Sequence, residues 1–160
     1  MRLDRAWIER HIPHRGRMCL LDEILEWNAL HIRSRSGTHR EADHPMRSHG
    51  RLGAACGIEY AAQTMAVHGA LAAGAASVGN LADGAAAPRA EVGFLASLRD
   101  VRIQVLRLDD IDGDLVCGVT RVAGDPLTAL YDFTLWSQER NLLSGRATVI
   151  LDADKKLKYE

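Results

Sequence analysis

His44, Glu59 and Gln63 are the residues of this sequence whose types and spacing could carry chemistry. His44 stands in a loop rich in His, Arg, Gly and Pro that runs from His39 to Gly53, and Glu59 and Gln63 stand in the long apolar run that follows. One helical turn separates Glu59 from Gln63, so the two share a face and the amide can orient the carboxylate. A carboxyl group in so apolar a helix is costly to ionise without a partner. Its pKa is therefore expected to rise, which suits a proton donor at neutral pH. His49, from the same loop, competes with His44 as the histidine that reaches a substrate, and the residues alone leave that choice open.

These groups need elements to position them. The run from about Ala54 to Ala75 is apolar around nearly its whole circumference, the pattern of a helix enclosed by other structure. Ahead of it, Leu3 to His11 reads as a short surface helix ending before Pro13, and Cys19–Trp27 and His31–Ser36 read as strands. Behind it, a Gly/Ala-rich connection from Gly74 to Pro88 leads into four alternating segments: Val101–Val105, Leu115–Val122, Tyr131–Leu135 and Ala147–Leu151. Asp112-Gly113 reads as a hairpin turn entering the second of these, and a further turn carries Gly124-Asp125-Pro126. The order predicts an α+β domain over 1–160, an antiparallel sheet wrapped around one long central helix.

Composition removes several function classes. The 160 residues are 47% hydrophobic and 26% charged with a net charge of −1, so no basic face points to nucleic acid. Cys19, Cys56 and Cys117 form no C-x-x-C pair, and a reducing, cytoplasmic setting is expected. The Gly53–Ala76 run is long enough to cross a bilayer, but Glu59, Gln63, Thr64 and His68 argue against a membrane span. His39, His44 and His49 recur every five residues without matching a zinc signature, so no metal is expected. Asp109 to Asp114 lacks the spacing of a calcium loop and reads as a solvated hairpin turn. Cys56 is read as a packing residue, His68 as a satisfied helix histidine, and His14 as a group that orients local backbone.

The stretch from His44-Pro45 to Glu59-Tyr60-Ala61-Ala62-Gln63 resembles the active-site segment of the β-hydroxyacyl-carrier-protein dehydratases of the hot-dog superfamily. Upstream, Ile12-Pro13-His14-Arg15 and Met18-Cys19-Leu20-Leu21-Asp22 are similar to the opening of the same family. Gly93 to Val101 and Leu143 to Ala147 resemble a narrower group, the dehydratase-like proteins of aryl-polyene pigment clusters. This chain departs from the family pattern in lacking the phenylalanine and second proline of the His-Phe-Pro loop, and its Pro-Gly turn is reduced to Leu52-Gly53.

The resemblance implies a hot-dog fold and dehydration of a β-hydroxyacyl thioester to the trans-2-enoyl thioester. His44 would take the proton from the carbon beside the carbonyl, and Glu59 would protonate the leaving hydroxyl. Backbone N–H groups near Gly53 and Gly57 would face the developing oxyanion, with Gln63 orienting Glu59 and with Phe94 and Leu95 lining the acyl tunnel. It further implies no cofactor, an acyl carrier protein presenting its phosphopantetheine arm, and a homodimer or a heterodimer with a related hot-dog subunit. Arg15, Arg47 and Arg51 are candidates to meet the acidic carrier. The rivals are an acyl-thioesterase on the same fold and a non-catalytic partner subunit.

Overall fold

Strand alternation is clearest in the last third of the chain, where every second residue from Ala129 to Ser137 is buried. A computed structural model describes residues 3–78 and 93–150. Its elements run α1 (Arg5–His11), β1 (Glu23–Trp27), β2 (His31–Ser36), α2 (Gly57–Val78), β3 (Phe94–Ile103), β4 (Leu115–Gly124), β5 (Thr128–Ser137) and β6 (Arg140–Ile150). All six strands join one sheet in the order β1-β2-β4-β5-β6-β3, and each pairing is antiparallel. α2 lies against β2, β4 and β5. Residues from both layers, among them Ile32, Ala61, Val67, Val119, Phe133 and Leu135, form the core. This is the helix-in-sheet arrangement expected from the order of elements.

The helix enters the sheet closely. A 3-10 turn over Ala54–Cys56 feeds directly into α2. At Gly57 a Cβ would come within 2.7 Å of Leu135 Cδ2 and 2.8 Å of Leu143 Cδ2, both on core leucines. Three polar side chains of α2 are buried, and each is satisfied by a hydrogen bond. Thr64 meets Ser34 at 2.7 Å, and Gln63 and His68 are bonded as described below. Among the described residues, no helix is long and apolar enough to cross a membrane.

Three expectations need correction. The strand expected over Cys19–Trp27 begins only at Glu23, because the preceding extended stretch gives its backbone groups to side chains. Leu20 N–H donates to Gln63, and Leu20 C=O accepts from Ser36 and Thr38. Asp112-Gly113 is no hairpin turn, since β3 pairs with β6 at the sheet edge while β4 pairs with β2 and β5 nearer the middle. The segment between them crosses the fold instead. Two of its aspartates are clamps, since Asp109 accepts Leu52 N–H and is held by Arg107 and Asp114 binds Arg35 and Arg40, while Asp110 and Asp112 are exposed. Arg107 beside Asp109 holds that carboxyl well below the usual range. The first of the four alternating segments is longer than expected, starting at Phe94. Residues 79–88 of the Gly/Ala-rich connection, and Leu151, lie outside the described residues.

Replacing Gly57 by alanine should overpack the helix–sheet contact by about 1–3 kcal/mol, more than the ~1 kcal/mol of helix propensity that alanine brings. The expected reading is a lower urea midpoint at unchanged m-value. An unchanged midpoint would mean that Leu135 and Leu143 yield without cost.

Candidate active site

Glu59 sits in the first turn of α2, with its side chain 28% exposed. Gln63, one turn on, is fully buried and donates from Nε2 to Glu59 Oε1 at 3.0 Å. The same amide donates to Met18 C=O at 2.7 Å and accepts Leu20 N–H at 2.9 Å, which fixes its orientation. A second donor reaches the carboxylate from outside the helix. His14, in the loop after α1, places Nε2 3.0 Å from the same oxygen, Oε1. Among the described residues both bonds fall on Oε1 and none on Oε2.

This environment reverses the expected shift. Burial pushes the Glu59 carboxyl up, but the hydrogen bonds from His14 and Gln63, with the charge of His14, outweigh it. The net direction is below the ordinary carboxylate value, so the resting group is ionised rather than a poised acid. His14, read from the sequence as a backbone-orienting residue, is the partner that accounts for much of the reversal.

His44 is buried at 3% exposure and sits in a different network. Its Nδ1 accepts Met46 N–H at 3.1 Å, so the neutral ring carries its proton on Nε2, 3.0 Å from Tyr60 Oη. Tyr60 Oη lies 2.8 Å from Thr38 Oγ1, and Thr38 Oγ1 donates to Leu20 C=O at 2.9 Å. A carbonyl only accepts, so the chain runs in one direction: His44 to Tyr60 to Thr38 to Leu20. Burial, followed by the charges of Arg47 and His39, lowers the His44 pKa against the opposing pull of Asp43. His44 is thus a neutral donor pointing inward in the single chain.

The other sequence candidates fall elsewhere. His49 is exposed on a two-residue turn between Ser48 and Arg51, with φ of 52° there and 73° at Gly50, as primed hairpin turns require. Gly53 is exposed and pairs with Arg107. Three of the N–H groups expected to be free near the helix start are in use. Ala54 N–H donates to Leu106, Cys56 N–H to Gly53, and Gly57 N–H to the carbonyls of Ala54 and Ala55. The 3-10 entry turn is the reason. Phe94 and Leu95 lie on β3, 54% and 40% exposed. Burial pushes the Cys56 thiol up, in keeping with a packing role. His39 Nε2–H donates to Ile111 C=O at 2.9 Å, and His68 is bonded on both ring nitrogens, to Tyr131 Oη and Asn28 C=O. Of the three arginines considered for a carrier, Arg47 turns inward to the carbonyls of Gly50 and His39, while Arg15 and Arg51 are exposed.

Sequence reasoning missed His14 and Tyr60. The Pro13-His14-Arg15 motif was the available signal for the first, and the residue following the helix glutamate for the second.

Comparison with known proteins places this geometry. The family model for ApeP-like proteins, described as ApeP dehydratase, matches residues 6–158. No curated protein matches the chain in sequence. Among solved structures, the dehydratase heterocomplex ApeI:P from Xenorhabdus doucetiae superposes with a TM-score of 0.77 at 20% identity, covering 95% of each chain. A hypothetical thioesterase with coenzyme A from Streptococcus pneumoniae TIGR4 gives 0.54 at 14% identity, over 81% of this chain and 84% of that one. An uncharacterized protein from Pyrococcus horikoshii gives 0.56 at 10% identity, over 89% and 91%. At these identities the structural likeness establishes the hot-dog fold.

The buried histidines set a pH dependence of stability. Burial lowers the pKa values of His39, His44 and His68 below those of the unfolded chain. The unfolded state therefore binds more protons on acidification. Stability should be full above about pH 6.5 and fall below it, by up to ~1.4 kcal/mol per pH unit for each histidine. Urea midpoints between pH 8 and pH 5 check this, and a flat profile would contradict the buried neutral assignment.

Proposed function

Because this chain belongs to the ApeP-like dehydratase family, matched over residues 6–158, we propose that it dehydrates a β-hydroxyacyl thioester on an acyl carrier protein, with Glu59 as its reacting carboxylate. The observation that carries the reading is the state of Glu59. One carboxylate oxygen is pinned by His14 and Gln63, and the other is left unbonded on a partly exposed side chain. In the reaction a base takes the proton from the carbon beside the thioester carbonyl. The electron pair forms the new C=C bond, and the β-hydroxyl leaves with a delivered proton as water. One proton is taken and one returned, so the conversion needs no oxidant or reductant. Gln63 is a positioning residue here, since its amide is buried and spent on Met18, Leu20 and Glu59.

His44 is the proposed partner of Glu59 in this site. To accept a proton it must give up the Met46 N–H bond at Nδ1, or first lose the Nε2 proton that it donates to Tyr60 Oη. That constraint favours a second reading, in which this chain works as the partner subunit of a related hot-dog protein. The solved ApeI:P dehydratase is itself a heterocomplex. Strand β3, at the sheet edge among the described residues and with Phe94, Leu98 and Ile103 exposed, offers a surface on which a second sheet could continue this one. On either reading, Phe94 and Leu95 would line the acyl chain's path beside that edge, and backbone near Gly53 and Gly57 would lie at the thioester end.

Mass spectrometry of a carrier-bound β-hydroxyacyl thioester tests the proposal, with the chain alone and with a related hot-dog subunit of its own source. Enoyl product from the chain alone, lost in His44→Ala, supports the two-residue site. Enoyl product that needs the second subunit and survives His44→Ala supports the partner reading. Free acid as the product would make the chain a thioesterase and overturn both.

A further inference from the structure

We propose that His14 is a positioning residue of this site, acting through Glu59. Its Nε2–H grips Oε1 beside Gln63, keeps the carboxylate ionised and leaves Oε2 to the substrate. The inference rests on Glu59 as the reacting carboxylate and adds a residue to it from a separate element, the loop between α1 and the 3-10 turn at Gly16–Met18.

Three observations converge. The His14–Glu59 pair is 3.0 Å long and its side chains are 27% and 28% exposed, whereas His44 is buried and bonded inward. Glu59 is acceptor-only when ionised, so His14 must hold its proton on Nε2. That tautomer leaves His14 Nδ1 buried and without a partner among the described residues. A side chain kept only for packing has no reason to retain an unpaired buried nitrogen. The third observation is convergence on one atom. Gln63 alone would fix the carboxylate from within the helix, and the second donor on Oε1 adds a titratable partner that an amide lacks.

The other charged groups nearby are engaged elsewhere. Arg15 turns its guanidinium to the carbonyls of Ile12 and His14, and Arg17 pairs with Asp43 at 2.8 Å. Glu41 and Asp22 act on Tyr60. Among the described residues, His14 and Gln63 are the groups that lower the Glu59 pKa, and of the two His14 comes from outside the helix.

The test follows the Glu59 side-chain carboxyl by NMR in protein labelled with [13C]glutamate, its resonance assigned by its loss in Glu59→Gln. Wild type, His14→Ala and His14→Gln are titrated, and the pH profile of kcat/KM is taken in parallel. Glutamine keeps an N–H donor but cannot titrate, and it guards against misfolding of the alanine variant. His14→Ala should raise the Glu59 midpoint by about one pH unit, a tenfold change in proton affinity, and His14→Gln should recover part of that. The limb of the kcat/KM profile that reports Glu59 should move upward by the same amount. A Glu59 midpoint unchanged in both variants would overturn the inference, as would a fall in kcat/KM with both limbs of the profile unmoved. If wild type gives no turnover, the functional reading fails by itself, and the NMR midpoints still decide whether His14 sets the state of Glu59.

Discussion

Burying a primary amide obliges the fold to supply partners for both of its ends, and Gln63 receives them from two directions. Leu20 N–H and Met18 C=O come from the extended segment before β1, and Glu59 comes from the helix itself. These bonds hold that segment against α2 and withhold its backbone from the sheet. On the other side of Leu20, its carbonyl gathers Ser36 and Thr38, and through Thr38 the Tyr60–His44 pair. One short stretch of chain therefore links the network of the glutamate to that of the histidine. Losing the Gln63 amide would leave Leu20 N–H and Met18 C=O without that partner, each at a cost of about 1–3 kcal/mol where buried.

The charge state of Glu59 follows from a contest of comparable terms. Burial in the first turn of a core helix disfavours the ionised carboxylate. Against it stand two hydrogen bonds to a charged acceptor, each worth about 1.5–3 kcal/mol, and the nearby His14. The bonds prevail, and the group rests as a carboxylate. The pair at His44 resolves the other way. His44 bonds to no carboxylate among the described residues, is buried, and stays neutral with its proton turned inward.

Much of this was legible in the sequence where the physics is local. Strand alternation gave β4, β5 and β6, the all-round apolar run gave α2, and the one-turn spacing gave the Glu59–Gln63 bond. What local pattern could not give was contact at a distance. Glu59 was expected to have a raised pKa because its own helix offers only an amide, and the correction comes from His14, far back in the chain. Asp112-Gly113 looked like a hairpin because adjacent strands usually pair, yet β3 docks on β6 and the connection crosses the fold. The helix-start N–H groups were expected to be free because a 3-10 entry turn has no distinct sequence signature. The family resemblance pointed to His44, Glu59 and Gln63 but not to the Tyr60 hydroxyl that holds His44.

The central claim is that the chemistry of this chain runs through the Glu59 carboxylate. The most direct measurement is the rate of enoyl-thioester formation by Glu59→Gln against wild type, in whichever assembly is active, with folding verified by an unchanged urea midpoint. The account predicts a loss of at least about a hundredfold, the range of a displaced general acid or base. A glutamine variant that folds normally and turns over at the wild-type rate would contradict it.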